Sequence, residues 1–215
     1  MYSNILTKFA RMDGKGQTLL TPFVLNQEKK ILYFHIAKTG GSTITQILRN
    51  NGIDERVLTN KKLSYNNKLE YFKNIVKEWD AYFKFTFIRN KYDLLVSNWH
   101  YDKRPGTSFE NFIKNIVIPN KDIYDFWIDQ YYLTVIKNKP IFDFIGRYEN
   151  FNKDLAIILN RLNIKKYNKN LKLNVGSYNH SKSFVEYYNK ETAALVYKKF
   201  KKEIDYFAFT LKDYE

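Results

Sequence analysis

"ILYFHIAKTGGSTITQILRNNGI", residues 31–53, holds the most informative junction in this chain. "ILYFHI", 31–36, is a continuous apolar run, the pattern of a strand buried on both faces. A turn with a lysine, a threonine and two glycines follows. A helix is then expected from Ser42 or Thr43 to a stop near Asn51-Gly52. A strand that passes through a glycine turn into a helix makes an anion site. The first N–H groups of the helix lack internal partners, and the macrodipole adds positive charge there. Gly40 and Gly41 let the backbone approach an oxyanion and take positive φ. Lys38 adds a full charge, Thr39 sits in the same turn, and Ser42 and Thr43 offer hydroxyl donors. The pattern is not G-x-x-x-x-G-K-[ST], because here the lysine precedes the glycines and the loop is shorter. The plain alternative is a strand-to-helix connection with a surface lysine.

Working outward, "YFKFTFI", 82–88, reads as a second strong strand and "IFDFIG", 141–146, as a third. Helices are expected around 66–78, from Tyr92 to about Tyr101, near 108–116 and over 122–137. Phe151, Leu155, Ile158, Leu159 and Leu162 share one helical face, as do Ala193, Val196, Tyr197, Phe200, Ile204 and Phe207. Residues 163–183 read as a Lys/Asn-rich loop, and 1–30 as a peripheral segment with weak signals. Strands alternating with helices predict one α/β domain over 1–215 with a central, mainly parallel sheet flanked by helices.

Composition narrows the function classes. Over 215 residues, 44% are hydrophobic and 18% aromatic, which argues against disorder. Lys plus Arg is 36 against 22 Asp plus Glu, a net +14 that favours anionic partners without choosing among them. Lys, Asn, Tyr and Ile are all abundant, a mix that an AT-rich genome also encodes. Without cysteine there is no disulfide or thiolate metal site, and three histidines make a His-rich zinc site a poor fit. No apolar run approaches the roughly 18 residues of a membrane span. The first residues lack the pattern of a signal peptide. A soluble, cytoplasmic protein is expected.

A second candidate anion site is read at the end of the second strand, the plain alternative being a strand-end arginine that caps a helix. In "FKFTFIRNKYDLLVS", Arg89 follows the strand directly and can fork two N–H groups onto a phosphate. Ser97 lies eight residues on, about two turns into the next helix, where its hydroxyl can reach the same group.

Together these stretches resemble a family. "FHIAKTGGST" resembles the 5′-phosphosulfate loop of the carbohydrate-type sulfotransferases, roughly F-H-[IV]-P-K-T-G-G-T-[ST], with Ala37 in place of the usual proline. "FKFTFIRNKYDLLVS" is similar to the family's 3′-phosphate motif, with Lys91 where proline is usual and Leu94 where a second arginine is usual. "FDFIGRYENFNKDL" resembles the G-R-[FY]-E-N-L landmark. The stretch from Tyr178 to Phe209 resembles the closing H-x-x-[YF]-x-x-Y-Y segment and helix. The resemblance covers about residues 31–210, and it places the chain near the Golgi polysaccharide O-sulfotransferases as a bacterial-type member.

The resemblance implies a P-loop-like three-layer form of the α/β fold. It also implies 3′-phosphoadenosine 5′-phosphosulfate (PAPS) as sulfuryl donor, no metal, and a saccharide or glycoconjugate acceptor, acidic or neutral. Lys38, Thr39, Gly40, Gly41, Ser42 and Thr43 would hold the 5′-phosphosulfate, and Arg89 with Ser97 the 3′-phosphate. Lys38 would neutralise the leaving oxygen. The base for the acceptor hydroxyl is placed first at His100, one turn beyond Ser97. His35, His180, Glu70 and Glu78 are the alternatives, and His35 has a second role in ordering the loop. Glu149 and Arg147 read equally as a surface pair, and Tyr187 and Tyr188 as core. Two other classes stay open: a nucleotide or small-molecule kinase on the same fold, and a non-catalytic binder of acidic glycan or nucleic acid. No Walker A loop or named nucleic-acid motif is present to favour them.

Overall fold

The computed structural model describes residues 23–53, 56–57, 78–102, 106–119, 129–168 and 182–212. Its centre is a five-stranded sheet. β1 (Phe23–Asn26) and β2 (Ile31–Phe34) form a hairpin, β3 (Arg56–Val57) pairs with β1, and β4 (Phe83–Ile88) and β7 (Phe144–Arg147) follow β2. The order is β3-β1-β2-β4-β7. β2, β4 and β7 run parallel, and the β1 pairings are antiparallel.

Side-chain alternation along the strands builds the other two layers. From β2, Ile31 and Tyr33 point to one face, and Leu32 and Phe34 to the other. The first face is covered by α1 (Gly41–Asn50) and α5 (Phe151–Arg161), through Ile44, Ile47, Leu48, Leu155, Ile158 and Leu159. The second is covered by α2 (Lys91–Asp102), by α3 (Phe109–Phe112) with its wider continuation Ile113–Val117, and by α6 (Lys190–Phe207). Phe85 and Phe87 of β4 go to the first face and Ile88 to the second. Both faces are therefore apolar, as an inner parallel strand requires.

The expected strand at 31–36 ends at Phe34, because His35 and Ile36 already carry the chain into the loop. β7 starts at Phe144, three residues later than expected. Asp143 turns back instead, taking the Lys84 N–H on Oδ2 at 2.7 Å and the Lys84 ammonium at 3.1 Å. The expected helix 122–137 is, over its described part, α4 (Gln130–Thr134) followed by a two-stranded hairpin of β5 (Val135–Ile136) and β6 (Lys139–Pro140). Lys137 and Asn138 turn that hairpin at positive φ, which no helix allows. β1 falls in the segment expected to be peripheral. The expected helix 66–78 lies outside the described residues except for Glu78. Most of the loop 163–183 does too.

Candidate functional site

β2 and β4 are parallel neighbours, so both deliver the chain to the same edge of the sheet. An open parallel sheet places its ligands at that edge. After β2, Lys38 and Gly40 both take positive φ, 65° and 82°. Gly40 is the cap residue of α1, and its carbonyl accepts from Thr43 N at 3.1 Å and Ile44 N at 3.3 Å. No side chain caps this helix start, and no acid lies in its first turn. Its amide end thus keeps the positive character that attracts anions.

The two glycines are needed for different reasons. Gly40 has a left-handed backbone, and a Cβ there would stand 2.5 Å from the Phe151 ring. A Cβ on Gly41 would stand 1.9 Å from Cδ2 of His35. The His35 ring is therefore packed against the start of α1, with Tyr33 stacked behind it at 6.1 Å. That contact supports the loop-ordering role of His35.

Thr39 is wholly buried and donates its hydroxyl to the Ile36 carbonyl at 2.8 Å, so it pins the loop from inside. Thr43 is buried as well, and Ser42 is half-buried. Lys38 reaches over the Tyr101 ring, 4.3 Å from its centroid. Burial, with the Arg89 charge nearby, lowers the Lys38 ammonium to about 8.

Arg89 is held on every side. Nε and Nη2 grip Asp93 at 2.7 and 2.8 Å, and Nη1 donates to the Lys38 carbonyl at 3.0 Å. Tyr148 lies over its guanidinium at 4.1 Å. Its backbone N–H and carbonyl pair with the Gln130 side chain, at 2.8 Å each. The strand-end arginine and the phosphate-type loop are thus physically joined. Asp93, Ser97, His100 and Tyr101 follow at spacings of 4, 3 and 1 on α2, which puts them on one face. That face carries both the Arg89 contact and the Lys38 contact.

His100 Nε2 lies 3.2 Å from the Tyr187 hydroxyl, within a cluster that includes Trp99 and Phe109. Burial lowers its pKa, so it is neutral near pH 7. Tyr188 packs against Tyr92 and Phe109 and donates to the Tyr92 carbonyl at 2.9 Å, half-buried against the core and not within it. Arg147 and Glu149 sit half-buried, each bonded to backbone, although the Arg147 charge still acts on the Glu149 carboxyl. Arg147 donates to the Phe207 carbonyl at 2.5 Å, and Glu149 takes the Asn90 N–H. Burial raises the Glu149 carboxyl. Glu78 caps nothing in the site; it pairs with Lys30 at 2.5 Å on the surface. His180 and Glu70 lie outside the described residues.

Five residues around this site were not picked out in the sequence as site residues: Asp93, Tyr101, Tyr148, Gln130 and Glu203. Asp93 carried a local signal, since an acid four residues after an arginine on a helix pairs with it. Gln130 and Glu203 carried none, being 41 residues from Arg89 and 73 from Gln130 respectively. Lys91, in the usual proline's place, is wholly buried against Glu203 at 3.1 Å. Leu94, in the usual arginine's place, is buried too. Among the described residues no three His, Cys, Asp or Glu side chains gather as a metal site would need. Among them, no helix is long and apolar enough to cross a membrane.

An uncharacterised protein of Archaeoglobus fulgidus is 35% identical over 89 residues, which are 41% of this chain and 73% of that protein. No solved structure matches. The sequence profile of the sulfotransferase family matches residues 21–210, a span that holds β1 to β7 with the loop after β2 and the start of α2, and on that match the chain belongs to the sulfotransferase family, transferases of sulfuryl groups.

Proposed function

We propose that this protein transfers a sulfuryl group from PAPS to a hydroxyl of a saccharide or glycoconjugate. The observation that carries the reading is the bond from Arg89 Nη1 to the Lys38 carbonyl, which ties two anion-binding elements together at one sheet edge. The donor set fits the ligand: backbone amides, an ammonium, a guanidinium and hydroxyls, with no acid in the first turn of α1. Bound there, PAPS supplies a sulfuryl group that leaves its 5′-phosphate oxygen for an acceptor oxygen.

In this reading the start of α1, with Ser42 and Thr43, holds the 5′-phosphate. Arg89 and Ser97 hold the 3′-phosphate. Lys38 reaches forward from the loop and neutralises charge that grows on the leaving oxygen, which is where a charge is most effective. His100, neutral and on the same face of α2 as Ser97, takes the proton of the acceptor hydroxyl. Tyr101 is 58% exposed beside the Lys38 ammonium, and its solvent-facing ring surface suits the apolar face of a sugar.

A transfer assay tests this directly. Protein incubated with sulfur-labelled donor and a panel of neutral and uronate-bearing glycans should label at least one of them. A thermal-shift panel guards the result: adenosine 3′,5′-bisphosphate should raise the melting temperature. No label on any glycan, with stabilisation by ATP–Mg alone, would favour a kinase. Stabilisation by heparin or an oligonucleotide alone would favour a binding module.

A further inference from the structure

Behind Arg89 lies a chain of buried polar groups that a packed core does not need. Gln130 is wholly buried at the start of α4. Its Oε1 accepts the Arg89 N–H and its Nε2 donates to the Arg89 carbonyl, so it clamps the backbone on both sides of that residue. Gln130 is itself fixed by Glu203 of α6. Glu203 Oε2 takes the Gln130 N–H, and Oε1 takes Gln130 Nε2, both at 2.6 Å. Oε1 also accepts Lys91 at 3.1 Å, and both partners of that pair have no exposed side-chain surface. The Lys91 ammonium lies 4.4 Å from the Phe200 ring, and α6 departs from helical geometry at Phe200, with φ −108° and ψ 22°. The break comes three residues before Glu203. Asp129 faces Glu203 as well, so the site holds one buried cation against two acids.

Buried charge of this kind is costly, and an apolar replacement is often as stable. Its cost is understandable if it fixes something. What it fixes is the main chain at Arg89, through its N–H and its carbonyl. We infer that Gln130, Glu203 and Lys91 form a positioning network that holds Arg89 ready for the 3′-phosphate of the donor. None of the three touches the ligand. They act through the Arg89 backbone, and they link the last helix of the chain to the site. The inference rests on the PAPS reading above.

The test separates the 3′-phosphate from the rest of the donor. Calorimetric titration compares adenosine 3′,5′-bisphosphate with adenosine 5′-phosphate, in the native chain and in two variants. K91M/E203L replaces the ion pair by apolar side chains and also takes from Gln130 the acceptor of its N–H and Nε2, so it loosens the clamp from the Glu203 side. Q130M removes the clamp itself and leaves the ion pair. In either variant that melts cooperatively, the preference for the bisphosphate should fall by about tenfold, the loss of one charge-assisted bond. Affinity for adenosine 5′-phosphate should stay within about twofold, because α1 and its loop are untouched. An unchanged preference in both variants overturns the network. So does an equal loss for both nucleotides, which marks a purely structural role. If the native chain itself shows no preference, the PAPS reading fails, and the inference with it.

Discussion

Lys38 sits between solvent and core with its ammonium over a tyrosine ring and near the Arg89 charge. Both burial and that charge favour the neutral amine, hence a value of about 8. The ammonium is present below that pH and lost as pH rises through it. Donor capture needs the charged form, so kcat/KM for the donor should fall above pH about 8. A bound anion favours the charged form, so the matching limb in kcat should lie at higher pH. In Lys38→Ala the limb should vanish from both profiles, and its persistence there would assign the titration to another group. Gly41 gives the second test at this scale. A methyl there would overlap the His35 ring, and the backbone of a helix start has little room to yield. Gly41→Ala should cost about 1–3 kcal/mol in urea unfolding, and a neutral result would mean that His35 can swing aside.

At the scale of elements, α2 does most of the assembly. One face of it receives Arg89 through Asp93, Lys38 through Tyr101, and Tyr187 through His100. His100→Ala should lower turnover by on the order of 10²–10⁴ and leave donor affinity intact, with loss of the acidic limb of the rate profile. Near-normal turnover would pass the role to His35, His180 or a carboxylate of residues 54–80. The elements were unevenly legible in the sequence. β2, β4, α1, α2, α5 and α6 announce themselves, since each has an apolar run or face that its layer buries. β1 spans only four residues, too few to show a period, and it forms through pairing with β2. The β5–β6 hairpin was hidden because Val135 and Ile136 continue the apolar pattern of α4, while positive φ at Lys137 and Asn138 decides the outcome. The residues proposed to bind the donor's anions were readable because they lie within single motifs. The clamp on Arg89 was not, because its parts meet only when α4 and α6 fold onto the end of β4.

Across the whole molecule, the last helix and the residues after it close on the ends of two strands. Glu203 reaches Gln130, the Phe207 carbonyl accepts Arg147, and the Thr210 carbonyl accepts Asn90 Nδ2 at 2.7 Å. The stability of α6 is therefore coupled to the sheet edge where the donor is proposed to bind. Burial and Asp129 raise the Glu203 carboxyl to about 8 and Lys91 opposes them, so Lys91→Met should leave the acid protonated at neutral pH and cost about 1–3 kcal/mol, the loss of one buried polar partner. The double variant K91M/E203L removes the acid too but orphans the Gln130 N–H and Nε2, so it should be less stable than Lys91→Met in denaturant unfolding. Equal destabilisation by the single and double variants would mean that the bonds from Gln130 to Glu203 contribute nothing. The central claim is that one sheet edge carries two phosphate sites, and titration of adenosine 3′,5′-bisphosphate in the presence of EDTA tests it most directly. Binding should persist without metal and exceed that of adenosine 5′-phosphate by about 2–4 kcal/mol, the worth of charge-assisted bonds to the 3′-phosphate; equal affinity for the two nucleotides would contradict the account.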